Sequence, residues 1–296
     1  MTTTTSPKPY IAATTDASQR VRQARQGLLV FAGFLIPLSL FGYWFYVNYP
    51  DAPLTLPSLP LMLAPGVAAV LTRWLRREGF ADVSFRLHGR RMKSALLLAF
   101  ALPLIAGGIA YSAAYLLGLA QFDPAPFPVA LQPAAAQFAL NLVFAILVFI
   151  PLLTSPATTG EEIGWRGYLL PRLIDARLPQ PVLLTALIWG VWHLPVVFAG
   201  GFAAGPSVLL SAGLLVVTAA ALGCILGWLR LETGSIWPCI LTHAAWNAII
   251  NGAFGPATHG AAAKLWTGES GILVVAALVV AALLIQRLWY SSPPAP

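Results

Sequence analysis

The chain is poor in charge and in cysteine. Only 9% of its 296 residues are charged, while 58% are hydrophobic and the mean hydropathy is +0.77; an average soluble domain has about 25% charged residues. So few charged side chains cannot cover a water-soluble globule of this size. The two cysteines, Cys224 and Cys239, lie within apolar runs, which excludes a disulfide scaffold and a multi-cysteine zinc module. The composition therefore predicts a polytopic membrane protein.

Apolar segments of bilayer-spanning length recur along the chain. A helix needs about 17 to 25 apolar residues to cross the hydrocarbon core, and the alternating pattern of a strand barrel does not recur. We therefore expect an all-α polytopic membrane protein with about eight transmembrane helices around a polar cavity. The expected spans lie near 27–47, 57–72, 95–119, 138–155, 181–199, 207–229, 236–253 and 270–289.

The remaining segments predict a single membrane domain with two short tails. Residues 1–26 are polar, threonine-rich and basic, which predicts a disordered cytoplasmic tail. They do not match a signal peptide, because the charged region is too long and the following apolar run is long enough to span. We expect the eight-helix domain at 27–290, with a C-terminal tail at 291–296. The segment 73–94 is expected to be a basic cytoplasmic loop that contacts lipid head groups.

The distribution of lysine and arginine predicts the orientation. Cytoplasmic segments of membrane proteins are enriched in these residues. With the N-terminus inside, only Lys264 of the 17 Lys and Arg falls on the outer side. We therefore expect both termini to be cytoplasmic, in a cell inner (plasma) membrane. Because the positive charge lies in short clusters between apolar runs, no nucleic-acid partner is expected.

Two adjacent glutamates stand at the end of an apolar run, in TTGEEIGWRGYLLPRL. Ionisable groups at membrane depth are unfavourable and usually functional. Glu162 and Arg166 have the i,i+4 spacing of an ion pair on one helix face, whereas Glu161 lies about 100° around the axis. Glu161 is therefore expected to lack that partner and to be able to act as a general base on water. A structural glutamate pair at a helix N-terminus is the alternative.

Proline and glycine predict where the helices near the polar residues are interrupted. Pro156 and Gly160 are expected to end the preceding run, so that a helix begins at the glutamate pair. In LIWGVWHLP, Trp189 precedes His193 by one turn and Pro195 follows it. A helix is therefore expected to kink or end near this histidine. A histidine that only hydrogen-bonds a neighbouring carbonyl is the alternative.

A third polar cluster is His243-x-x-x-Asn247, in TGSIWPCILTHAAWNAII. The spacing places both side chains on one helix face. An imidazole beside a carboxamide offers two donors for a developing oxyanion, although a polar clamp between helices would use the same groups. Three such clusters on three separate helices predict that their side chains converge on one buried cavity.

In order and spacing, the three motifs resemble the CAAX-prenyl-protease and bacteriocin-processing family of intramembrane proteases, also called the Abi family. The motifs are Glu161-Glu162-x-x-x-Arg166, Trp189-x-x-x-His193 and His243-x-x-x-Asn247. The resemblance covers about 155–252, and the family usually has Phe where this chain has Trp189. It implies an eight-span intramembrane endopeptidase for peptide or membrane-protein substrates, with a cavity that opens toward the cytoplasm. Because the composition is typical of bacterial proteins, prenylated substrates are not assumed.

The resemblance also implies roles for single residues. Glu161 would activate the water that attacks a peptide carbonyl, and His193 would orient this water or bind a metal. His243 and Asn247 would stabilise the oxyanion. Glu161, His193 and His243 could alternatively hold zinc, which takes imidazole and carboxylate ligands; a metal-free mechanism is equally coherent. Glu162, Arg166 and Trp189 would be supporting residues.

Other interpretations of the same residues come from other protein classes. A non-catalytic immunity or partner-binding protein would use the polar groups as a clamp, and a proton-coupled transporter would use the glutamates and histidines as a relay. Nucleophilic alternatives are weaker. Cys239 lies one turn before His243 but is an ordinary packing residue, and Ser207 and Ser235 lie at predicted helix ends.

Overall fold

The computed structural model describes residues 17–50, 57–89, 91–126, 129–205 and 207–290. Helices form most of this part of the chain, which confirms the all-α class. Its helices are α1 (Ala17–Asn48), α2 (Leu59–Arg76), α3 (Met92–Leu116), α4 (Ala134–Asp175), α5 (Pro181–Trp192), α6 (Leu194–Phe198), α7 (Val208–Thr233), α8 (Trp237–Trp246), α9 (Ala263–Trp266) and α10 (Ile272–Ile285).

Short elements complete the bundle. Two strands, β1 (Gln121–Phe122) and β2 (Thr258–His259), pair antiparallel and join the loop after α3 to the loop after α8. Helix α8 continues as a π-helix over Asn247–Phe254, and α10 continues as a π-helix over Gln286–Tyr290.

Each of the eight predicted spans overlaps a helical segment. Within the described residues, five helical segments are long and apolar enough to cross a membrane: α1, α3, α4, α7 and the pair α5–α6 (Pro181–Phe198). A shorter apolar helix covers Ile272–Leu288. Large apolar side chains point outward, among them Leu29 (75% exposed), Leu97 (73%) and Leu147 (68%), as expected for a surface in lipid. The multi-pass membrane class is confirmed; eight crossings and the orientation stay predictions.

Helix α4 runs without interruption through Ala134–Asp175, over 42 residues. The predicted break at Pro156 and Gly160, with a new helix at the glutamates, is therefore wrong. A π-helical stretch at Ala145–Thr154, which contains Pro151, precedes Pro156. Its wider turn allows the chain to continue past a residue that has no amide hydrogen. Gly160 serves close packing against α2 instead of ending the helix.

Helix α1 begins at Ala17, inside the segment predicted to be a disordered tail. Its first turns pack on the rest of the bundle: Ala24 is fully buried, and Arg76 Nη2 donates to the carbonyl oxygen of Gln23 over 3.0 Å. These contacts with distant parts of the chain order residues whose composition alone indicates a solvated tail. Residues 1–16 and 291–296, the rest of the predicted tails, lie outside the described residues.

One end of the bundle, here named the arginine-rich end, consists of residues 77–89 and the adjoining ends of α1, α2, α4 and α7. Arg73 is buried and pairs with Asp82 at 2.6 Å, and Arg172 pairs with Glu78 at 2.9 Å. The expectation that the segment 73–94 contacts lipid head groups is therefore wrong for Arg73, whose guanidinium is held inside the protein. Ion pairs anchor the loop to α4.

Candidate active site

Glycines bring α4 against α2 and so position the first motif. A Cβ atom added to Gly66 would lie 2.6 Å from the carbonyl oxygen of Gly160, and one added to Gly164 would collide with Pro65. The two backbones are in direct contact, which only glycine permits at these positions. Glu161, next to this contact, is 1% exposed. The carboxylates of the motif are therefore held in the protein interior and away from lipid.

Glu162 connects the first motif to the third. Its Oε1 accepts from Arg166 Nη1 over 2.8 Å, at the spacing that predicts the pair, and both side chains are fully buried. The same oxygen accepts from His243 Nδ1 over 2.9 Å. The sequence offers no signal for this second bond, because it joins α4 to α8 across 81 positions of the chain.

Glu161 has a partner that the sequence analysis missed. Its Oε2 accepts from the indole Nε1 of Trp189 over 2.7 Å. Arg166 pairs with Glu162 and not with Glu161, and within the described part of the chain Oε1 of Glu161 has no hydrogen-bond donor. The one signal in the sequence is the exchange of the family's usual Phe for Trp189, because tryptophan adds an N–H donor. Trp189 is therefore more than an aromatic packing residue.

The predicted interruption at the second motif is confirmed: α5 ends at Trp192, and α6 begins at Leu194. His193 lies between them, and its Nδ1 is 2.9 Å from the carbonyl oxygen of Trp189. Because a carbonyl oxygen can only accept, we assign the proton to Nδ1. His243 Nδ1 bonds the Glu162 carboxylate, which also only accepts, so the proton of His243 is likewise assigned to Nδ1. Each histidine therefore keeps Nε2 for a group in the cavity.

The three motifs surround one cavity of about 580 Å³. The carboxamide of Asn247 has no hydrogen-bond partner among the described residues. The predicted convergence of the three clusters is therefore found, although most of the cavity wall is apolar. The motif residues that line the cavity are Glu161, Trp189, His193, His243 and Asn247.

The residues that line the cavity range from the buried Glu161, Trp189 and His243, here called the floor, to the partly exposed Phe202 and Glu269, where we place the mouth. The mouth lies at the end of the bundle where α1, α3 and α6 end, opposite to the arginine-rich end. An opening toward the cytoplasm and the predicted cytoplasmic location of the arginines therefore cannot both be correct.

The residues present do not fit the zinc alternative. The described part of the chain contains no group of three or more His, Cys, Asp or Glu residues placed to hold a metal ion. Glu161, His193 and His243 line one cavity but do not form such a group. We therefore derive no chemical step through a metal.

The nucleophilic alternatives have structural explanations. Cys239 is fully buried, and its Sγ lies 3.3 Å from the carbonyl oxygen of Leu226. Ser207 caps the N-terminus of α7, where its Oγ accepts from the amide of Leu210 over 3.2 Å. Ser235 is buried in the turn before α8. None of these three side chains lines the cavity.

Two comparisons with known proteins match the segment of the chain that contains the three motifs or part of the chain's length. Residues 133–249 match the family model described as Type II CAAX prenyl endopeptidase Rce1-like. The chain is 36% identical over 62 residues to CAAX prenyl protease 2 of Methanococcus maripaludis. The aligned segment covers 21% of this chain and 22% of the relative. The chain thus matches about a fifth of that relative's length. The family match contains all three motifs, and it supports the predicted resemblance of this segment to the CAAX-prenyl-protease and bacteriocin-processing family.

Proposed function

We propose that the protein is an intramembrane endopeptidase in which Glu161 activates a water molecule for attack on a peptide bond. The observation that carries the proposal is the arrangement at the cavity floor. A buried carboxylate from α4, a histidine between α5 and α6, a histidine from α8 and a carboxamide from the π-helical continuation of α8 line one space. The Methanococcus relative is named a CAAX prenyl protease, and we infer the same class of reaction here.

Glu161 has the geometry of a general base. The Trp189 indole holds Oε2 at 2.7 Å, so the carboxylate is fixed while Oε1 stays available to a water molecule. When the water oxygen bonds to the peptide carbonyl carbon, its proton passes to Oε1. When the carbon–nitrogen bond breaks, Glu161 returns this proton to the leaving amine. Transfer by a positioned carboxylate contributes about 10²–10⁴-fold to such a rate.

His243 and Asn247 are the proposed donors to the oxyanion. Glu162 accepts from His243 Nδ1 over 2.9 Å, and its negative charge stabilises a positively charged ring. Such a ring also donates from Nε2. The carboxamide of Asn247, one helical turn further along, supplies a second donor. Two prealigned donors in a site with little water stabilise negative charge more effectively than the same groups in bulk water.

His193 is proposed to orient the attacking water. Its Nδ1 proton is directed to the carbonyl oxygen of Trp189, which leaves a lone pair on Nε2 of the neutral ring. A water molecule that donates one hydrogen to this nitrogen and the other to Glu161 would present its own lone pair to the substrate. Positioning of this kind lowers the entropic part of the barrier.

The proposal is tested with Glu161→Gln, and Glu232→Gln serves as the matched control. Glu232 pairs with Arg91 at the arginine-rich end and does not line the cavity. Cells that produce each form are compared by labelling new protein N-termini, and a peptide spanning a detected cut site is then given to purified protein in detergent. We expect wild type and Glu232→Gln to cleave, and Glu161→Gln to be at least about 100-fold slower. Normal turnover by folded Glu161→Gln would contradict the mechanism.

A further inference from the structure

The two ends of the bundle differ sharply in charge. The described connecting residues at the cavity end, 49–50, 57–58, 117–126, 129–133, 199–205 and 255–271, contain no arginine and a single lysine, Lys264. At the opposite end, exposed basic side chains surround the buried ion pairs. These side chains include Arg22, Arg25, Arg77, Arg86 and Lys93.

Packing closes the route from the arginine-rich end to the cavity floor. Trp165 and Arg166 are fully buried, and Arg230 is 1% exposed. Arg230 Nε donates to the carbonyl oxygen of Arg166 over 3.2 Å, and Arg73 Nη2 donates to that of Gly167 over 2.8 Å. These side chains fill the space behind the glutamates. A substrate therefore reaches Glu161 from the cavity mouth and not from the arginine-rich end.

Membrane proteins keep the end that is rich in lysine and arginine in the cytoplasm, because these residues resist translocation. We therefore propose, on the basis of the hydrolytic function above, that the active site opens to the extracytoplasmic side of the membrane. It would take peptide segments of exported or membrane-anchored proteins from that side. A prenylated C-terminus made in the cytoplasm would face the closed end of the bundle.

The cavity wall indicates the side chains such a substrate presents. Between floor and mouth it is lined by Phe149, Leu153, Val196, Leu215 and Leu222. Desolvation of apolar groups against this wall favours binding, whereas a charged side chain would lose its hydration without gaining a partner. The substrate class is therefore an apolar peptide segment at the outer membrane interface.

Cysteine accessibility tests the direction of the cavity without depending on catalysis. Ala203→Cys is placed in the loop at the cavity end, Asn251→Cys at the cavity mouth and Ala81→Cys at the arginine-rich end; all three positions are exposed. The wild-type chain, with half-buried Cys224 and buried Cys239, provides the blank. Intact spheroplasts and inverted membrane vesicles are treated with a charged, membrane-impermeant maleimide.

We expect Ala203→Cys and Asn251→Cys to label in spheroplasts and Ala81→Cys to label only in inverted vesicles. The reverse pattern would overturn the proposed direction. In parallel, a charged fluorogenic peptide with an apolar cleavage segment is added to right-side-out and inverted vesicles, and turnover is expected only in the former. Turnover only in inverted vesicles would also overturn the proposal. If the cysteines label as expected but neither right-side-out nor inverted vesicles cleave the peptide, the result would confirm the direction of the cavity and contradict the hydrolytic function.

Discussion

Trp189 donates its indole hydrogen to Glu161 Oε2 over 2.7 Å, and its ring contacts His193, His243 and Arg166. Its ring centroid is 5.3 Å from that of His193 and 5.1 Å from that of His243, and the Arg166 guanidinium lies 4.8 Å above the ring. One side chain thus bonds the carboxylate through its indole N–H and contacts the buried cation through its ring face. The carboxylate is positioned by a neutral donor that bonds Oε2, and Oε1 stays available to a water molecule.

Trp189→Phe removes this donor while keeping an aromatic ring. Hydrogen bonds to charged groups contribute about 1.5–3 kcal/mol, so we expect kcat to fall by about tenfold or more, with a smaller change in KM. The control is Trp237→Phe, whose indole donates to the carbonyl oxygen of Phe85 at the arginine-rich end over 2.9 Å. This control should keep wild-type kcat. An unchanged kcat in folded Trp189→Phe would show that the bond does not position Glu161.

Glu162→Gln should lower both stability and activity, because Glu162 joins Arg166 and His243 in the protein interior. Removing one partner of a buried ion pair leaves an uncompensated charge, a loss of about 3–5 kcal/mol. Thermal unfolding in detergent and kcat on the same samples check this expectation. Glu161→Gln is the comparison: it lacks a cationic partner in the described part of the chain, and it should lose activity with little change in Tm. Equal Tm values for the two variants would contradict the separation of roles.

The sequence predicts the helical segments and the Glu162–Arg166 ion pair, because hydropathy and i,i+4 spacing are local properties. It does not predict the bonds between motifs. The contact of Glu162 with His243 and that of Glu161 with Trp189 join helices that are distant in the chain. The continuity of α4 past Pro156 depends on a preceding π-helical stretch, which leaves no mark in the hydropathy. The direction of the cavity likewise follows from packing.

Removal of metal should leave peptide hydrolysis unchanged. Among the described residues no three potential ligands are placed to hold an ion, and Oε2 of Glu161 is already bonded to the Trp189 indole. Purified protein would be treated with a strong zinc chelator, analysed for bound metal, and assayed before and after dialysis. A loss of activity that zinc restores would contradict the metal-free mechanism and indicate that the cavity floor rearranges around an ion.

Asn247→Ala separates oxyanion stabilisation from structure. Its carboxamide lines the cavity and has no hydrogen-bond partner in the described residues, so its removal should leave Tm close to that of the wild type. Loss of one oxyanion donor lowers kcat by about 10²–10³-fold, and we expect KM to change little because this donor acts mainly on the transition state. Asn48→Ala, which removes a carboxamide that bonds the carbonyl oxygen of Trp44 outside the cavity, is the control and should retain wild-type kcat. A large fall in Tm with unchanged kcat for Asn247→Ala would instead assign this residue to a structural clamp between helices.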